Sequence, residues 1–213
     1  DELVGAQYFV PTEQGLANLG YRVKLHIHQP CTGLTTSAMC SALFPNHLEL
    51  AVNDQYAPAA AFLGNALVDR DPPHVTFEVN PSRDSQQYGI VADHAYWIAG
   101  LTVRSSGSEG TFDALSHGFG VGDPAPSGVQ NGTGTLSGGN LGDIQYASQT
   151  QTWGATPTAA ASDSVDITAT NVATATIDVQ RGRLDCNAQV HVTSTDGPIA
   201  ITLAGCNRTV QAG

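Results

Sequence analysis

Ser164-Val165-Asp166-Ile167-Thr168-Ala169-Thr170 alternates apolar and polar residues with a period of two, the pattern of a strand with one buried face and one wet face. Runs of the same kind recur at His74–Val79, His94–Val103, Thr111–Gly118, Gln145–Trp153, Ala173–Gln180, Leu184–Thr193 and Ile199–Leu203. Short strands at this spacing, joined by Gly-rich turns, predict an all-β sandwich over residues 71–213. The stretch from Gly118 to Gly142 holds nine glycines and few large apolar residues, so it is expected to be a mobile excursion. No internal repeat with a fixed period emerges, which argues against solenoids and propellers.

The composition changes near residue 70. Upstream of it, Ala-rich and Leu-rich segments carry helical spacing. Pro11–Leu19 predicts a helix ended by Gly20, and Tyr21–Ile27 then alternates in the manner of a strand. Residues 29–46 form a long connection with two prolines and the pair Cys31 and Cys40. Asn53-Asp54 can cap a second helix through Tyr56–Leu63, with Pro58 tolerated in its first turn and Gly64 as its stop. Val68–Pro73 follows as a short rigid linker, because two prolines fix the backbone. Two domains are therefore expected, 1–70 and 71–213.

Eight Lys and Arg against 19 Asp and Glu give a formal charge of -11. Such a surface opposes the phosphate neutralisation that nucleic acid requires, and it is equally unsuited to an anionic membrane. No run approaches the length of a membrane span. Only 13% of residues are charged and Lys24 is the sole lysine, a balance expected of a secreted or cell-envelope protein. The four cysteines point the same way. They fall as near neighbours, Cys31 with Cys40 and Cys186 with Cys206, and local pairing is expected over the other two connectivities. Their spacings lack Cys-x-x-Cys, which makes zinc ligation the weaker alternative.

Asp1-Glu2-Leu3-Val4 before a helix, a strand ending near residue 28, and Asn46-His47-Leu48-Glu49-Leu50-Ala51 ahead of another helix together resemble the C-terminal end of the α/β-hydrolase superfamily. The nearest likeness is to its secreted prolyl-oligopeptidase-like and esterase-like members. The resemblance implies a C-terminal α/β fragment of a hydrolase sheet over residues 1–70, with the sandwich appended. It also implies that Asp1 is the acid and His47 the general base of a serine triad, whose chain order in this fold is nucleophile, acid, histidine. No Gly-x-Ser-x-Gly elbow occurs in the chain. The resemblance therefore implies a missing N-terminal part of the same hydrolase as partner, supplying the serine. An ester or peptide substrate would be cleaved through an acyl-enzyme, with no cofactor and no metal. The alternative is a non-catalytic binding or structural module built on the β-sandwich.

Other candidates have plainer explanations. His26 and His28 share a strand face, as two metal ligands would, but no third ligand is indicated. His94 follows Asp93, yet sequence neighbours on a strand face opposite ways, so His94 is expected to pack at a domain interface. Tyr96, Trp97, Phe119, Tyr146 and Trp153 would suit a sugar-stacking platform, though core packing is the commoner role.

Overall fold

Alternation at a period of two becomes strand almost wherever it occurs. The computed structural model describes residues 6–28, 54, 56–64, 66–140 and 142–213. Among them are the helices α1 (Ala6–Asn18) and α2 (Ala57–Leu63) and the strands β1 (Val23–His28), β2 (His74–Val79), β3 (Ile98–Val103), β4 (Gly110–Ser116), β5 (Gln130–Gly139), β6 (Gly142–Gln151), β7 (Ser164–Thr170), β8 (Val172–Ile177), β9 (Gln189–Ser194), β10 (Ile199–Leu203) and β11 (Arg208–Ala212). The chain divides into two compact units, one of residues 1–67 and 124–155 and the other of 68–123 and 156–213.

The first unit overturns the expected hydrolase fragment. A hydrolase sheet is largely parallel and flanked by helices. Here β1 pairs antiparallel with β6, from Val23 opposite Gln151 to His28 opposite Tyr146, and β6 pairs antiparallel with β5. The partner of the predicted Tyr21–Ile27 strand thus comes from a hairpin more than a hundred residues downstream, which its own alternation cannot reveal. Gln151 is buried and donates from Nε2 to the carbonyls of Ala17 and Tyr21, tying the end of α1 to the sheet.

The expected mobile excursion is likewise corrected, because four of its nine glycines lie in β5. Gly134 stands opposite Tyr146, and a Cβ there would clash with the tyrosine's hydroxyl and the adjoining ring carbons. That ring stacks on His26 with centroids 4.2 Å apart and planes 16° from parallel. Glycine weakens a strand unless a neighbouring aromatic covers it, and Tyr146 supplies that cover.

The second unit is a sandwich of two four-stranded sheets, ordered β2-β4-β7-β9 and β11-β10-β8-β3. Val75, Phe112, Val165 and Ile167 from the first meet Ile98, Ile177, Ile199 and Ile201 from the second in one apolar cluster, each at most 2% exposed. Burying a side chain of this size contributes about 1.5–3 kcal/mol, so a handful of them dominates the stability of the unit. The sandwich is not a simple meander. β7 lies parallel to β9, and β8 lies parallel to β10. The chain from Ser164 to Leu203 therefore winds through both sheets twice, as two stacked rungs.

Asn171 makes the corner between β7 and β8, in the left-handed region at φ 52°. Its Nδ2 donates to the carbonyls of Ser105, Ser108 and Glu109, and its Oδ1 accepts from the Ser105 amide. Its own amide donates to Asp196 at 2.7 Å, joining the corner of the next rung. Asparagine is among the few residues that tolerate this backbone while offering both a donor and an acceptor. Cys186 and Cys206 form a disulfide that brackets β9 and β10.

Candidate functional site

Period-two alternation sends His74, Thr76 and Glu78 of β2 to the outer face of their sheet while Val75 and Val79 turn inward. The same rule exposes Asp113 on β4, Asp166 on β7 and His191 on β9. Register then aligns them. His74, Leu115, Asp166 and His191 form one row across the four strands, and Thr76, Asp113, Thr168 and Thr193 form the next.

His74 is held by two carboxylates. Its Nε2 lies 3.0 Å from both oxygens of Asp113, and its Nδ1 lies 2.6 Å from Asp123. Asp113 also accepts from the Thr76 hydroxyl at 2.5 Å. Partial burial alone would lower the His74 pKa, but hydrogen bonds and charge from the two aspartates outweigh it and raise the pKa above the ordinary 6.5. Protonated, as the two aspartates favour, His74 donates from both ring nitrogens and keeps no lone pair with which to take a proton from a substrate.

Asp166 bridges two further histidines, accepting from His117 Nε2 at 2.8 Å and from His191 Nδ1 at 2.9 Å. The bond from His117 is the largest of the influences that hold its carboxyl below the ordinary 3.8. His117 opens a 3-10 turn, His117–Phe119, that follows β4 directly. Among the described residues none of these three histidines has a serine or cysteine within hydrogen-bonding distance, and no group of three His, Cys, Asp or Glu is arranged to hold a metal ion.

Asp1 and His47, the expected acid and base, lie outside the described residues, as do Cys31 and Cys40. His26 stacks on Tyr146, and burial followed by the Lys24 charge lowers its pKa. His94 departs from expectation. It is 70% exposed at its side chain, and its Nδ1 meets Asp93 at 2.7 Å. The reason is local: the strand starts only at Ile98, and Tyr96 at φ 55° makes residues 93–97 a turn in which neighbouring side chains can meet. The aromatics do not assemble into a platform. Trp97 is core, donating to the Pro72 carbonyl, while Phe119 lies under Arg183 and Trp153 under Arg22.

Sequence reasoning passed over His117, His191, Asp113, Asp123 and Asp166. Alternation alone could have placed the strand residues outward, but their pairing depends on register.

In the first unit a cleft of about 210 Å³ lies between α1 and the sheet, lined by Glu13, Gln14, Ala17, Val23, Leu25 and Gln149 among others. It is smaller than the roughly 300–1,000 Å³ usual for small-molecule sites and presents no nucleophile. No described helix is long and apolar enough to cross a membrane. No family model, curated protein or solved structure matches the chain.

Proposed function

We propose that this chain is a non-catalytic β-sandwich module of an exported protein, acting through its framework and surface rather than through bond cleavage. The observation that carries this reading is the use made of His74: both ring nitrogens serve carboxylates across the strands, so the most elaborate polar constellation among the described residues fastens the sheet. The Cys186–Cys206 disulfide and the low charge density support export. Among the described residues no helix-flanked parallel sheet forms on which a hydrolase acid and base would be positioned.

The test is an assay of the 213-residue chain against activated acyl esters and aminoacyl substrates, alongside labelling with a serine-directed fluorophosphonate. No turnover above buffer and no adduct are expected. Turnover that disappears in His47→Ala would reject the module and restore a serine-hydrolase reading.

A further inference from the structure

His117 and Asp123 mark the two ends of a short strap that runs off β4 along the sheet's outer face. Each end is fixed by a different pair, His117 to Asp166 and Asp123 to His74. Between them, the amide of Gly120 bonds the His117 carbonyl and that of Gly122 bonds the Pro157 carbonyl.

The two fastenings respond differently to loss of a proton. A neutral imidazole has one N–H, which suffices for the single bond from His117 to Asp166. It does not suffice for His74, which must donate to Asp113 and Asp123 together. Asp113 is fixed on β4 beside β2 and presents both oxygens to Nε2, whereas Asp123 lies on the strap and His74 is the only described side chain that bonds it. The charged groups facing the strap are His74 from β2, Asp113 from β4, Asp166 from β7, His191 from β9 and Arg183, whose guanidinium lies 4.5 Å from the Phe119 ring centroid. Of these groups, His74 is the one whose protonation the two carboxylates control.

We propose that His74 is a pH-dependent latch: protonated, it pins Asp123 and the end of the strap to the sheet, and on deprotonation it keeps Asp113 and releases Asp123, while His117 holds the other end. The sign follows from linkage. Because the folded state favours the protonated imidazole, the latch is fully closed below the ordinary histidine value and opens as pH rises through the higher value of the folded protein.

Amide hydrogen exchange on the whole chain, corrected for intrinsic pH dependence, reads this directly at Gly122, next to Asp123, while Gly120, bonded to the His117 carbonyl at the end that stays held, serves as the internal reference. Protection at Gly122 is expected to fall about tenfold between pH 5.5 and pH 8.5. His74→Phe, which keeps a ring but has no donor, should show the low protection at both values. Asp123→Asn, at a half-exposed side chain that leaves the core intact, should abolish the pH dependence, whereas Asp166→Asn should leave it in place. Equal protection of the unaltered chain at both pH values overturns the latch, as does a fall in Asp123→Asn as large as in the unaltered chain. Enzyme activity enters none of these measurements, so the latch and the non-catalytic reading fail independently.

Discussion

Asn171 concentrates more structural consequence in one side chain than any other polar residue described here. It is 8% exposed, sits at positive φ, and reaches the turn after β3, the corner between β7 and β8 and, through its amide, the corner after β9. Two substitutions separate its roles. Asn171→Gly keeps the backbone but strands the carbonyls of Ser108 and Glu109 and the Ser105 amide, and is expected to cost about 1–3 kcal/mol. Asn171→Ala adds the strain of a left-handed backbone, and should cost about 1–2 kcal/mol more. Urea denaturation of both variants followed by Trp97 fluorescence measures the difference, and equal midpoints would show that backbone strain contributes nothing. Residue chemistry of this kind was not legible in advance. An asparagine between two strand-like runs reads as a turn, but the hydrogen-bond partners of its side chain lie more than sixty residues away.

At the scale of elements, alternation located strands well and partners poorly. His74–Val79, Ser164–Thr170 and Ile199–Leu203 have the bounds expected from their patterns. β5 was hidden because its glycines carry no alternation of their own; only Tyr146 opposite explains how they hold a strand. β9 starts five residues later than its pattern suggests because Arg183 at φ 54° and the Leu184 amide bonded to Val179 make a loop first. The histidine and aspartate row shows the same limit, since strand faces follow from sequence whereas register follows from turns and core packing. The disulfide acts at this scale too. It joins the entrance of β9 to the exit of β10 across a separation of 20 residues, inside one of the two rungs. Replacing both Cys186 and Cys206 by Ala is expected to remove about 3 kcal/mol of stability, largely through a less constrained unfolded chain. Denaturation with and without reductant tests this: reductant should lower the urea midpoint of the parent chain by more than that of the double variant.

At the scale of the whole molecule, the buried apolar cluster from Val75 to Leu203 lies entirely within residues 68–123 and 156–213. The two strands of chain that leave and re-enter this unit are already paired, with the Gly122 amide 3.0 Å from the Pro157 carbonyl. A chain made of residues 68–123 joined to 156–213 through Asn-Gly is therefore expected to fold to the sandwich, because a two-residue turn suits such a pair. Dispersed amide resonances and a cooperative urea transition would bear this out; an uncooperative transition would show that residues 1–67 and 124–155 are needed for the sandwich to form. Composition marked the change of character near residue 70 because Ala-rich and Thr-rich stretches are visible locally. The return of residues 124–155 to the first unit left no such mark, since a chain's path through space is decided by which surfaces it buries.

The pairing of Val23 with Gln151 also carries a timetable. A ribosome adding about 5–20 residues per second makes the 128 residues between those partners in roughly 6–26 seconds, and β1 has no ladder to join until then. For that interval its Val, Leu and Ile side chains and its unsatisfied backbone are open to any passing strand. The partners of β2, by contrast, lie between Gly110 and Leu115, about forty residues or fewer downstream, and emerge far sooner. The order of manufacture thus runs against the order of assembly: β1 is made before β2 but completed after it, and a helper that shields nascent apolar chain would matter most for β1.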